Sequence, residues 1–503
     1  MKSKTIYANN LKLRHTLDDM ALKKYMGLEN SLGLDHGSII RRLQQILLME
    51  LLSVFWDNPG FDEKKFFYQN DNIAYQKNGD TFTCKVNSKV IVKNVIIFLK
   101  NSIQLFAYFF RFNPKTKDTY SIAELWAFEN QTVSDLKHPN HFYNSGFLAE
   151  WAQSKVIVGL PHDRELGKVA TSKNPLKYLA KKENRGMLAA ASFFYEQTTI
   201  FFELFFQALK KQELFFLFPD LSYLALIKYF NRQGLLKNYA VSNSYFISQN
   251  LSIFALKDRK HATQLLFYSS NLKELQTKDT DDFADLPHCY YLFGDVAYCW
   301  NKELEHWIQV TNPQMKTKIV GTYLPWLNRQ PTSAPHTHFT VILFDNPPLV
   351  KSILKKAIGR DEAYNSLTTA VSFLQDSINS IRELEVALGV KCEIKLKSKR
   401  KSPYLIAEYF DYIDTLKKVE IMDVEDDLFP IINSSNLCIC IPFTSVAYIA
   451  SSINIDSVYY DPTSKVELNI LLDPKMSFAS SQQELKTILA SRMTSFKEQL
   501  LGK

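Results

Sequence analysis

Along the second half of the chain, short unbroken apolar runs alternate with longer amphipathic stretches, the pattern of strands buried between helices. Thr340 to Phe344, Val390 to Leu396, Leu437 to Ile441 and Ser457 to Tyr460 are β-type runs, with helical patterns at 352–388, at 403–417 and from Val446 onwards. Strand–helix–strand repetition of this kind predicts a parallel, doubly wound sheet. One turn in it carries candidate chemistry. The run Leu437 to Ile441 stops at Pro442-Phe443, and Thr444 and Ser445 are the residue types that cap a helix whose apolar face begins at Val446, Ala447 and Ile449. At the carboxyl end of a parallel strand, the free N–H groups of the helix start and two hydroxyls can hold a phosphate. The competing use is capping alone.

The first half is mixed. Residues 1–60 read as helical, with Ser38 capping Ile39 to Trp56, and Asn78-Gly79 between two β-type runs predicts a hairpin over Ile73 to Val86. Helical or mixed pattern continues through 90–110 and 122–152. Lys155 to Leu160 is a short apolar run before His162-Asp163, and 161–186 reads as a Lys-rich loop. From Met187 the pattern predicts a helix to about Lys211, a strand Glu213 to Phe218, and a helix Tyr223 to Arg232 closed by Gly234. Further strands are predicted at His261 to Tyr268, at Tyr290 to Phe293 before Gly294-Asp295, and at Lys318 to Val320. This reading puts Asp220 and Asp295 at carboxyl ends of strands. Ser481-Gln-Gln-Glu484 is a capping box ahead of a terminal helix reaching about Leu500.

The order of a strand ending in Asp345-Asn-Pro, a long helix, a strand running into Lys397-Ser-Lys399-Arg400, then Pro442-Phe443-Thr444-Ser445 and Tyr459-Tyr-Asp-Pro462 resembles the C-terminal half of bacterial surface-polysaccharide biosynthesis proteins. These are similar to glycosyltransferases of the two-Rossmann (GT-B) architecture, among them transferases that use CMP-activated acidic sugars such as Kdo and sialic acid. The resemblance covers about residues 210–475 and is strongest after 340. It departs at Ser398, where the family usually has Pro. It implies an α/β fold of two Rossmann-like domains facing a cleft, with a helical and α+β N-terminal elaboration. The expected division is an acceptor-side domain over 1–325, a linker over 326–339, a domain binding the nucleotide sugar over 340–475 and a helix crossing back over 476–503.

Composition narrows the partners. The net charge of +8 suits anionic ligands or an anionic membrane surface, and is too small and too dispersed for a dedicated nucleic-acid binder. The six cysteines include no CxxC pair, which fits reduced thiols in a cytoplasmic protein, and Cys438 and Cys440 share one strand face as small core residues. The N-terminus shows no secretory signal pattern. Val90 to Phe112 and Met187 to Leu209 are apolar enough to suggest a membrane. Lys93, Lys100 and Gln104 in the first, and Glu196, Gln197 and Glu203 in the second, argue for buried helices instead. Basic flanks, including Lys177, Lys181 and Lys182, keep a peripheral inner-membrane contact as a candidate.

Glycosyl transfer needs a cradle for the leaving phosphate and a carboxylate or imidazole at the sugar carbon. Lys397, Lys399 and Arg400, with Pro442, Phe443, Thr444 and Ser445, are the candidate cradle for donor phosphate and nucleotide. Asp220 and Asp295 are the candidate catalytic carboxylates, with His162 or Asp163 next in line. The acidic runs Asp279–Asp282 and Asp423–Asp427 read as solvated loops, so neither metal nor cofactor is expected. The expected function is a metal-independent glycosyltransferase of polysaccharide or lipopolysaccharide assembly, with a nucleotide-sugar donor, CMP-Kdo or a related acidic sugar being the specific candidate, and a glycan or lipid-linked glycan acceptor. Alternatives are a sugar-nucleotide epimerase or polyol-phosphate transferase of the same fold, and a non-catalytic envelope-assembly binding protein.

Overall fold

The computed structural model describes residues 25–35, 37–57, 65–69, 72–78, 81–109, 119–124, 155–159, 164–166, 169–172, 175–182, 187–242, 249–254, 256, 258–267, 292–321, 337–350, 365–398, 403–423, 426, 428–468 and 472–501. Strands are numbered in chain order. A three-stranded antiparallel sheet joins β1 (Lys65–Gln69), β2 (Ile73–Asn78) and β3 (Thr81–Val86). Asn78 pairs with Thr81, as the predicted hairpin requires.

An eight-stranded sheet follows, built from β4 (Tyr120–Glu124), β5 (Lys155–Gly159), β6 (Arg164–Leu166), β7 (Val169–Ser172), β8 (Leu236–Ser242), β9 (Ala262–Leu266), β10 (Val296–Cys299) and β11 (Lys316–Ile319). Its order is β11-β10-β9-β8-β4-β5-β7-β6, parallel except for β6 against β7. The second parallel sheet holds β12 (Phe339–Phe344), β13 (Cys392–Lys397), β14 (Glu420–Ile421), β15 (Leu437–Cys440), β16 (Asp456–Tyr460) and β17 (Met476–Ala479) in the order β14-β13-β12-β15-β16-β17. Both sheets are doubly wound, so the chain is an α/β protein with two Rossmann-like halves. The second sheet reverses direction between β12 and β15, which is where such sheets open a crevice at their carboxyl ends. Every residue of β12 and β15 is buried, because helices cover both sheet faces. The helix Leu367–Leu388 is held at one end by the Ser366 hydroxyl accepting from the Thr369 N–H and stops at Gly389, whose φ of 62° suits glycine.

Five expectations need correcting. The stretch 161–186, read as a Lys-rich loop, carries β6, β7 and the helix Pro175–Lys182 among its described residues. Gln212–Leu217 is a 3₁₀-helix that runs straight into the helix Phe218–Gln233, with Pro219 at its first turn. An apolar run without alternation does not separate strand from buried helix, and here Tyr25 donates to buried Glu213 (2.6 Å) and Leu214 to Leu217 fill the core. Leu292 and Phe293, the described part of the strand placed at Tyr290 to Phe293, lie in no strand, and β10 begins at Val296, after Asp295. The terminal helix Gln482–Leu501 lies along Leu367–Leu388 of its own half instead of crossing back. Leu485, Leu489, Met493 and Phe496 form one buried face, Phe496 meets Phe339 edge-on at 5.5 Å, and Lys497 donates to the Leu388 carbonyl (2.7 Å). Finally, the two long apolar helices, Ser88–Phe109 and Met187–Lys210, are buried on one side only.

Candidate functional site

The crevice at the switch point is built from the ends of β12 and β15. The Ile441 N–H donates to the Phe344 carbonyl (3.1 Å), so the ladder continues one step past β15 before the chain turns. Pro442 cannot extend the ladder, Thr444 donates its N–H back to the Ile441 carbonyl (3.2 Å), and the helix Ser445–Ser452 starts there. The turn is clamped from β16. The Tyr459 hydroxyl donates to the Thr444 carbonyl (2.6 Å), and the Phe443 and Tyr459 rings meet edge-on at 5.8 Å. Tyr460 donates to Asp376 (2.6 Å), while Asp461 accepts from the Thr463 N–H (2.8 Å) and hydroxyl (2.7 Å) and from the Val466 N–H (2.7 Å). Tyr459-Tyr-Asp-Pro462 thus serves as a brace for the turn.

The two hydroxyls of the turn differ. Thr444 is the N-cap residue, yet its side chain makes no capping bond, and the hydroxyl is enclosed beside the buried Cys440 thiol. Capping is therefore not how Thr444 is used. Ser445 stands at the first helical position and is 9% exposed, at the end where backbone N–H groups lack helical partners.

Beside the turn, at the end of β12, Asp345 is 6% exposed and accepts from the Ser398 hydroxyl (2.8 Å) and the Tyr409 hydroxyl (2.6 Å). Burial first, and the Asp345 charge second, push the Tyr409 phenol far above its ordinary range, so it stays a donor. Ser398, where the resemblance led one to expect Pro, thus supplies a donor to Asp345. Asp345 was not among the predicted site residues. Its signal is an acid directly following a fully buried strand, next to the Pro-Phe-Thr-Ser strand in the sheet.

The basic cluster is only partly described. Lys397 ends β13 and donates to the Asp423 carbonyl and, over 3.0 Å, to the Asp426 carbonyl. Both acceptors are backbone carbonyls, so Lys397 holds the main chain at Asp423 and Asp426. Because β12 lies between β13 and β15, Lys397 is two strands away from the turn. Lys399 and Arg400 lie outside the described residues, as do His162, Asp163 and Asp279–Asp282.

The strand ends assigned to Asp220 and Asp295 do not hold. Asp220 sits in the first turn of Phe218–Gln233, 4% exposed, paired with Arg42 (2.7 Å) and accepting from the Leu251 N–H (3.0 Å). It ties three helical segments together. Asp295 precedes β10, so it lies at the amino edge of its sheet, where it pairs with Arg259 and accepts from the Thr263 N–H (2.6 Å). The carboxyl edge of β10 is marked instead by Asn301, which caps the helix Lys302–Thr311 by accepting from the Leu304 N–H (2.9 Å). The Tyr448 side chain, on the helix that follows Thr444, lies within hydrogen-bonding reach of Asn301. Burial first, then the charges of Glu303 and Asp473, push its phenol up, and the Asn301 contact opposes this. Through Tyr448 this helix approaches Asn301, at the carboxyl end of β10. Among the described residues, no group of three or more His, Cys, Asp or Glu side chains is placed to hold a metal ion.

Residues 201–489 match the model of a family described as polysaccharide biosynthesis PFTS motif protein. No curated protein matches the chain. Similar solved structures include the wall teichoic acid polymerase TagF, at 9% identity and a TM-score of 0.38, covering 82% of this chain and 93% of that one. The UDP-GlcNAc 2-epimerase of Methanocaldococcus jannaschii is similar at 9% identity and 0.38, covering 75% and 92%. The trehalose 6-phosphate synthase of Burkholderia multivorans is similar at 10% and 0.39, covering 77% and 94%.

Proposed function

Since that match spans more than half of the sequence, the chain belongs to the polysaccharide biosynthesis PFTS motif family, and from this premise we propose that it is a glycosyltransferase taking its sugar from a nucleotide-activated donor. The observation that carries the reading is the position of Pro442-Phe443-Thr444-Ser445 at the switch point of a parallel sheet, braced by Tyr459 and turned toward the carboxyl edge of a second parallel sheet. A helix start at that point presents N–H groups to a phosphate, and a second sheet edge opposite leaves room for an acceptor. In this reading Ser445 and the backbone at the start of its helix hold the donor phosphate, Arg400 and Lys399 neutralise it as it leaves, and no metal ion takes part. The donor is an acidic sugar carried on CMP, the acceptor is a growing glycan or lipid-linked glycan, and the protein works in the cytoplasm.

Calorimetry with CMP and UDP tests the site. Arg400→Ala and Ser445→Ala should each weaken binding of the preferred nucleotide at least tenfold, on the scale of one charge-assisted hydrogen bond, with the melting temperature unchanged. Unchanged affinity in both variants would remove the site, and activity lost on chelation of divalent ions would remove the metal-free mechanism. Free sugar released from a nucleotide sugar without acceptor would point to an epimerase instead.

A further inference from the structure

The helices Ser88–Phe109 and Met187–Lys210 pack side by side along a seam of stacked rings, Phe98 on Phe201 at 5.1 Å and Phe106 against Phe194 at 5.4 Å. Their inner sides enter the core: Phe98 and Leu105 from one, Phe193, Ile200 and Leu204 from the other, with Asn94 donating to the Phe215 carbonyl (3.2 Å). Their outer sides are exposed and apolar. Val92, Ile96, Leu99 and Ile103 recur at helical spacing on the first helix, with Ile103 69% exposed. Tyr195, Phe202, Phe206 and Leu209 do so on the second, with Phe206 61% exposed. Leaving this many large side chains in water on neighbouring helices is costly and marks a contact surface.

The chemistry around the stripe says what kind. The first helix carries Lys89, Lys93 and Lys100 and no acid. Glu196 on the second is paired with Lys228 and Arg232, and Glu203 is half-buried. At the start of the first helix Lys89 and Lys93, with Asn72, Val90, Asn94 and Phe216, line a cavity of about 320 Å³, large enough for a phosphate-bearing headgroup. Thr198 and Thr199, on the second helix, donate their hydroxyls back to the Phe194 and Tyr195 carbonyls (2.8 and 3.0 Å), so their polar groups are satisfied without water. A window of the first helix is apolar and long enough to cross a membrane, but the helix is packed on Phe218–Gln233 and so lies along a surface.

We propose that the outward face of these two helices docks on an anionic lipid bilayer, the apolar stripe entering the headgroup boundary and Lys89 and Lys93 taking lipid phosphate in the adjoining cavity. The docking is independent of which sugar is transferred.

Flotation of the full-length chain with phosphatidylcholine vesicles, with and without phosphatidylglycerol, tests this. The wild type should float only with phosphatidylglycerol and be released by salt. Lys89→Gln with Lys93→Gln should lower partitioning roughly fivefold per lysine, and Ile103→Ser with Phe206→Ser by tenfold or more, on the order of what two exposed apolar side chains supply. Circular dichroism and melting should be unchanged, since all four side chains lie outside the core. Failure of the wild type to float, flotation of either variant equal to that of the wild type, or a dimer by light scattering that Ile103→Ser with Phe206→Ser makes monomeric while flotation persists, would each overturn the proposal.

Discussion

Tyr459 reaches from one strand to hold the carbonyl of Thr444 on the turn after the neighbouring strand, 2.6 Å away. Tyr459 is fully buried, so this bond has no water to replace it. Tyr459→Phe keeps the ring against Phe443 and removes only the hydroxyl. The expected result is a loss of about 1 kcal/mol of stability, read from denaturant unfolding, with nucleotide affinity falling by a larger factor than in surface controls. Equal affinity would mean that the turn is rigid without its brace.

Ser398 and Asp345 give a second test, because the carboxylate is buried and accepts from the hydroxyls of Ser398 and Tyr409. Ser398→Ala should cost about 1–3 kcal/mol. Asp345→Ala should cost more, since it strands both hydroxyls, and should also reduce turnover if the carboxylate organises the crevice. A turnover loss no larger than the stability loss explains would restrict Asp345 to structure.

Asp220 answers to Arg42. Breaking a buried pair leaves an uncompensated charge, so Asp220→Ala should lower stability by about 3–5 kcal/mol, and Asp220→Asn should also destabilise because Asn does not neutralise the guanidinium. Asp295→Asn, at the amino edge of its sheet, should leave turnover near wild type. A specific collapse of turnover in either Asn variant, with normal melting, would restore that residue to catalysis.

Burial pushes the Cys392 and Cys438 thiols up to about 12, and Cys440 is raised for the same reason. A thiol raised in the folded state holds its proton there while the unfolded chain loses it. Stability is therefore full below the ordinary thiol value of 9.0 and is lost as pH climbs from there toward about 12. Alkylation at pH 8 should spare these three residues until denaturant is added. Rapid labelling of any of them in native buffer would contradict their burial.

The alternation of apolar runs was enough to predict β12, β13, β15 and β16 of the second sheet and the helix after Ser445, because strands buried on both faces and their intervening helices are encoded locally, while the short edge strands β14 and β17 were missed. Ser38 at its helix start, the Asn78-Gly79 hairpin and the Ser481 hydroxyl accepting from the Glu484 N–H (3.2 Å) were legible for the same reason. What the local pattern could not carry was partnership. Glu213 to Phe218 is held as helix by tertiary partners, among them Tyr25, far away in the chain. Asp295 changes from one sheet edge to the other with a shift of a few residues in where β10 begins. Whether an apolar helix is buried on all sides or only one depends on how many neighbours the fold supplies, and Ser88–Phe109 and Met187–Lys210 were given a core on one side and each other along the seam. The brace from Tyr459, the pair Asp345–Ser398 and the pair Arg42–Asp220 join residues distant in sequence, so only the tertiary structure could decide which polar side chains hold the fold and which are left to face a ligand.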